Sequence, residues 1–206
     1  MKNIELILSK LRDMHGKPRC ELIYGNALEL AVATVLSAQC TDERVNRVTL
    51  SLFAKYKSLQ DYIETPLEVL EEDIKPTGFY KNKAKTIKNI TREISERFKG
   101  HIPEDIDAFS TIKGIGRKSA NMIVGLAYKT PAVIVDTHVA RVSGRIGLTG
   151  SNNPEKIEKD LKKAIPEYLW TDISLFLILH GRYVCLARKP ECERCLLQEE
   201  CDYYNK

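Results

Sequence analysis

The 206-residue sequence lacks any apolar run long enough to cross a membrane, any Gly/Ser tract or proline-rich linker, and any repeat of fixed period. These absences argue against a membrane-spanning protein, a string of loosely tethered modules and a solenoid. Residues 1–16, MKNIELILSKLRDMHG, are interrupted by Glu5, Lys10 and Arg12, and no small-residue cleavage site follows, so they do not read as a secretory signal. The cytosol is the expected compartment. Six cysteines there point to metal or redox chemistry rather than disulfides. Strand signals are almost missing: only AVIVD, 132–136, has β character, and one isolated run cannot build a sheet. It reads as an extended connector, and the parallel-sheet cofactor folds lose their framework.

What remains is 43% apolar and 29% charged, the balance of a globular chain, with room for one domain or two small interleaved ones. A formal charge of +4 permits a polyanionic partner without requiring one. Its distribution says more. Asp61, Glu64, Glu68, Glu71, Glu72 and Asp73 form a block without lysine or arginine, followed by Lys75, Lys81, Lys83, Lys85 and Lys88. By themselves such runs read as solvated helix faces.

Helical periodicity dominates. Val45, Val48, Leu52, Phe53 and Tyr56 share one stripe, Ala84, Ile87, Ile94 and Phe98 another, and Ile157, Leu161, Ala164 and Ile165 a third. Start signals agree with them: Thr41-Asp42, Asn153-Pro154, and Thr65 with Glu68 as a capping box around Pro66. LELAVATVL, residues 28–36, is apolar nearly all round, as a central buried helix would be. The expectation is an all-α protein of about ten short helices.

GIGRKSAN, 114–121, separates two helical segments. A P-loop needs four residues between its glycines and a Gly-Lys-Ser/Thr ending, and a dinucleotide fingerprint needs a preceding strand and a third glycine; neither is present. What is left is helix, tight turn, helix. Gly114 and Gly116 permit positive φ and leave backbone N–H groups uncovered at a helix N-terminus, which suits a phosphate. An ordinary αα-hairpin that binds nothing has the same pattern. At the other end, Cys185, Cys192, Cys195 and Cys201 are separated by six, two and five residues. Four thiolates so close can hold one metal centre, and spacing alone leaves both tetrahedral zinc and a cubane iron–sulfur cluster open.

TIKGIGRKSANMIV followed by VDTHVARV resembles the helix-hairpin-helix and Gly-Pro-Asp element of the endonuclease III family of DNA glycosylases. HGRYVCLARKPECERCLLQEEC resembles that family's iron–sulfur segment almost residue by residue, and with SAQCTD and GFYKNKA the similarity spans nearly the whole chain. The resemblance implies a bifunctional glycosylase and abasic-site lyase of base excision repair, acting on double-stranded DNA with damaged pyrimidines or abasic sites, monomeric and nucleoid-associated in the cytoplasm. It implies two interleaved helical domains: a six-helix barrel over 21–131, with the hairpin at about 107–127, and a cluster domain from 1–20 and 132–206. Lys118 takes the nucleophile position and Asp136 the catalytic carboxylate; Cys185, Cys192, Cys195 and Cys201 hold a [4Fe-4S] cluster. Gln39 supplies the plug for the vacated base position and Phe79 the wedge. Gly114, Gly116, Arg117, Ser119, Arg188 and Lys189 contact the DNA backbone. Cys20 and Cys40 lie outside the pattern and read as buried structural thiols.

An amine is the group this chemistry needs. Attack at the sugar C1′ gives an imine, which acidifies the C2′ proton and permits β-elimination; a hydroxyl could not do this. A free lysine is protonated at neutral pH, and here the helix dipole and Arg117 disfavour the ammonium while Asp136 favours it. Asp136 also sits where an N-cap belongs. Two departures mark the chain: Ile112-Lys113 stands where most of the family has Leu-Pro, and Ser110 where an acidic residue is frequent. The rival readings are a helix-hairpin-helix protein that binds DNA without cutting it, with the metal centre as a clip, and an electron carrier.

Overall fold

The computed structural model describes residues 2–205, and these contain no strand. They form eleven α-helices: α1 (Ile4–His15), α2 (Ala27–Leu36), α3 (Asp42–Lys55), α4 (Leu59–Glu64), α5 (Leu67–Ile74), α6 (Tyr80–Arg97), α7 (Ile106–Ser110), α8 (Arg117–Ala127), α9 (Thr137–Ile146), α10 (Pro154–Ala164) and α11 (Trp170–Tyr183). Two compact units divide the chain, Glu21–Thr130 on the one hand and Met1–Cys20 with Pro131–Lys206 on the other.

In the unit Glu21–Thr130, α2 is the centre. Leu30, Ala31, Val32, Ala33, Thr34 and Leu36 are all buried, so helix faces in every direction have neighbours. α8 packs on it through Ala120, Ile123 and Val124, and Ile90 and Ile94 of α6 join the same core. Each fully buried Leu or Ile contributes about 1.5–3 kcal/mol over an exposed one. The ends are set locally: Asn26, Thr41, Ser58 and Asp105 accept backbone N–H bonds from Glu29, Arg44, Asp61 and Ala108, each worth roughly 1 kcal/mol.

Thr65 does not cap α5. Its backbone N–H closes α4 on Asp61 O, its hydroxyl lies 3.3 Å from the Tyr56 hydroxyl, and α5 opens on Pro66 without a side-chain cap. The capping box is one helix earlier, where Ser58 and Asp61 satisfy each other's backbone N–H groups. The lysine run is also only partly a solvated face. Lys81 and Lys85 are exposed, but Lys83 is buried, and Lys88 turns inward to donate to the carbonyls of Ile63 and Thr65 at the end of α4.

In the second unit the core is built by α1, α9, α10 and α11 around Ile7, Leu11, Val139, Val142, Ile157, Leu161 and Phe176. The connector 132–136 is extended, with 132–135 buried, yet pairs with no strand among the described residues. Its N–H groups find helix side chains instead: Ala132 donates to Thr171 Oγ1 at 3.2 Å and Ile134 to Ser174 Oγ at 3.0 Å. Those two hydroxyls on α11 meet the hydrogen-bonding demand that a sheet would otherwise fill.

Candidate functional site

The hairpin between α7 and α8 is pinned from inside and outside. Ile112 and Ile115 are buried, and Ile115 N–H closes on Ile112 O at 2.9 Å. From α6, Asn89 Nδ2 donates to Lys113 O at 2.8 Å, and Glu93 accepts from the Lys113 N–H at 3.3 Å. Hydrogen bonds from Asn89 and Arg97 hold the Glu93 carboxyl below the usual range. Neither Asn89 nor Glu93 is marked by the hairpin motif.

The two glycines differ. Gly114 has φ +106° and a Cβ there would sit 2.7 Å from Thr86 Cγ2 of α6, so it is glycine for both backbone and space. Gly116 has φ −81°, an ordinary extended conformation, and a Cβ would meet nothing within 4 Å. The expected positive φ at Gly116 is therefore wrong: its missing side chain leaves space in front of α8, which opens on it with no side-chain cap. Gly114→Ala should lower the thermal midpoint by several degrees, as left-handed strain and overpacking cost roughly 1–3 kcal/mol. Gly116→Ala, free of that strain and clash, should cost less, no more than the roughly 1 kcal/mol of an N-cap change.

Lys118, in the first turn of α8, is half-buried, and among the described residues its Nζ has no hydrogen-bond or ion-pair partner. Arg117 does: its guanidinium pairs with Asp107. Ser119 lines an open cavity of about 370 Å³ together with Gln39, Phe79, Lys83 and Gly114. Gln39 and Phe79 are both exposed, at φ +51° and +49°. Left-handed backbone in non-glycine residues costs of order 1 kcal/mol or more and concentrates at working surfaces. Two of the other three such residues, Lys99 and Lys129, directly follow helix C-caps, an ordinary place for this geometry. The last is Lys189, at +52°.

Asp136 is the N-cap of α9; its Oδ1 accepts from Val139 N–H at 2.8 Å, and the side chain stays half-exposed. Farther along the same unit, Cys185, Cys192, Cys195 and Cys201 line one cavity with Val142, Ile146, Val184 and Leu197. Burial pushes the Cys192 and Cys195 thiols up, and the neighbouring thiols add to it. Among the described residues no three His, Cys, Asp or Glu side chains converge closely enough for a single metal ion. Arg145 organises the loop: its guanidinium donates to Cys185 Sγ at 3.2 Å and to the carbonyls of Leu186 and Ala187, and it lies over the Tyr203 ring. Arg188 and Lys189 stand exposed beyond that anchor. His180 lies 3.5 Å from Cys195 Sγ through Nε2 and 3.1 Å from His15 through Nδ1, and burial pushes its imidazole down to about 4. Cys20 and Cys40 are half-exposed, not the fully buried thiols expected of them.

Residues 32–167 match the model of the HhH-GPD superfamily base excision DNA repair protein. The chain is 45% identical to the endonuclease III of Bacillus subtilis, covering 98% of this chain and 92% of the relative, and 38% identical to that of Escherichia coli K12, covering 97% and 95%. A solved structure of a trapped endonuclease III–DNA covalent intermediate, an estranged-adenine complex, superposes with a TM-score of 0.92 at 41% identity, over 98% of this chain and 95% of that one. The chain belongs to the endonuclease III family within the HhH-GPD superfamily of base excision DNA repair proteins.

Proposed function

We propose that this glycosylase and lyase removes oxidised pyrimidines from double-stranded DNA through an imine on Lys118 and then breaks the strand 3′ of the abasic sugar. The observation that carries this reading is Lys118 itself: a half-buried amine without a partner among the described residues, at the uncapped start of a helix, one residue from the cavity that Ser119 lines. Nζ attacks C1′ as the base leaves with its electron pair and takes up a proton; the C1′–O4′ bond then opens, O4′ is protonated, and the positive nitrogen of the resulting imine draws electrons from the C2′–H bond. Loss of that proton expels the 3′ phosphate, and water returns the lysine. Asp136 supplies the negative charge that stabilises the sugar as the base departs and takes up the lysine proton. Extruding the nucleotide costs a few kcal/mol, offset by Gln39 filling the vacated position and Phe79 wedging the opened step.

The backbone is held by charge and open N–H groups. The start of α8 behind Gly116, with Gly114, Arg117 and Ser119, takes one phosphate, while Arg188 and Lys189 neutralise others. Removing Arg188 and Lys189 together should flatten the slope of log K against log salt by about 1.8, roughly 0.9 for each phosphate no longer neutralised. An unchanged slope would remove both residues from the interface.

The four cysteines fit a [4Fe-4S] cluster better than zinc. Four thiols lining one largely apolar cavity are the donor set and the setting that such a cluster takes. When bound, the cluster ties its four ligands together and can exchange one electron. Arg145 and the Glu191 N–H, which bonds Val184 O at 2.9 Å, hold the loop between the first two ligands closed beneath Arg188 and Lys189. The protein is proposed to act as a monomer on nucleoid DNA.

The test is a duplex with one oxidised pyrimidine beside an undamaged control. Base release and a nick bearing a 3′ unsaturated aldehyde and a 5′ phosphate are expected on the damaged duplex alone. Binding without base release would support a non-cleaving helix-hairpin-helix protein instead.

A further inference from the structure

Lys83 is a buried cation without a carboxylate partner among the described residues. It has 5% of its surface exposed, and Nζ donates to Leu36 O and Thr77 O, both at 2.8 Å. Burial pushes its ammonium below the usual lysine range. Taking such a charge out of water is costly, and the two charge-assisted hydrogen bonds are what the fold receives in return. Their acceptors are not arbitrary. Leu36 ends α2, three residues before Gln39; Thr77 ends the 3₁₀ turn Lys75–Thr77, two residues before Phe79. Gln39 and Phe79 are both held at positive φ, a conformation that relaxes unless its surroundings enforce it. Gln39, Phe79 and Lys83 also line the same cavity.

We infer that Lys83 is a positioning residue: its ammonium clasps the two chain segments that present Gln39 and Phe79, so that both side chains stand ready before DNA arrives. The inference rests on the reading that these two residues enter the duplex. Arg and Lys are not equivalent here, because a planar guanidinium in so confined a position would displace one carbonyl. Lys83→Met keeps the length and apolar stem and removes the donors. Lys83→Gln keeps one donor and serves where the methionine variant does not fold.

Two readouts decide it, both on the full chain. Hydrogen exchange of the free protein should quicken by about tenfold at the Cys40 and Gly78 amides, the order expected when one hydrogen bond is removed. Ala120 in α8 and Tyr128 at its C-cap should exchange as in the parent. Uniform acceleration across the unit would make Lys83 a general stabiliser and overturn the clasp; so would no change. The second readout uses 2-aminopurine opposite an abasic analogue that cannot react with Lys118. The fluorescence change on binding should fall in Lys83→Met, and affinity should drop by about tenfold. In a Gln39→Ala/Phe79→Ala background the same substitution should cost no further affinity. An equal loss in that background would overturn positioning through the two side chains. Absence of the fluorescence change in the parent would overturn the insertion reading, while exchange would still decide whether the clasp exists.

Discussion

Lys118→Ala should yield no borohydride-trapped DNA adduct, and strand cleavage should fall by at least about 10³-fold, the order associated with removing a covalent nucleophile. The fold should be indifferent. Among the described residues Lys118 breaks no ion pair or hydrogen bond when truncated, its side chain is only half-buried, and alanine is at least as good a helix former. Binding to an abasic analogue should change little by the same argument, because phosphate recognition is proposed to lie with Gly116, Arg117, Arg188 and Lys189. The variant thus separates chemistry from recognition within one protein. A trapped adduct that survives the substitution would move the nucleophile to another amine and end the assignment.

The architecture was largely legible in the chain because its signals are local. The all-round apolar run 28–36, the stripes of α3, α6 and α10, and the caps Thr41 and Asn153 each depend on residues within one helix. The failures are where tertiary partners intervene. Thr65 has the side chain of a cap, but its hydroxyl lies against Tyr56, and Pro66 opens the helix in its place. Lys83 and Lys88 look like solvated charges until the carbonyls at the ends of neighbouring helices are in place. Gly114 and Gly116 are alike in sequence and separated only by their surroundings: α6 presses on the first, and among the described residues nothing lies within 4 Å of a Cβ at the second. For the proposed site, the glycine turn, Lys118, Asp136 and the four cysteines could be picked out from motif and resemblance. The parts that hold them could not. Asn89 and Glu93 fix the turn from α6, and Arg145 fixes the cysteine loop from α9, and in each case the hydrogen bond spans a sequence separation that no local pattern records. AVIVD is a middle case: its extended form was readable, but its stability without a sheet depends on Thr171 and Ser174 some forty residues on.

Asp136 offers the sharpest separation of structure from chemistry, because the two roles make opposite demands on the same carboxyl. As an N-cap it needs one oxygen to accept the Val139 N–H, and asparagine caps about as well as aspartate. As the proposed catalytic group it needs a negative charge, which asparagine lacks. Asp136→Asn should therefore melt within a few tenths of a kcal/mol of the parent, and base release under single-turnover conditions should fall by about 10²–10⁴-fold. Asp136→Ala should lose both, with roughly 1 kcal/mol of stability gone as well. The pair distinguishes the roles through their difference. If the carboxyl were only a cap, asparagine would keep full activity, and alanine would lose activity only to the extent that the protein unfolds. Activity that follows charge in Asp136→Asn while the melting point does not would place the carboxylate in the reaction. Full base release by Asp136→Asn would leave it as the start of a helix.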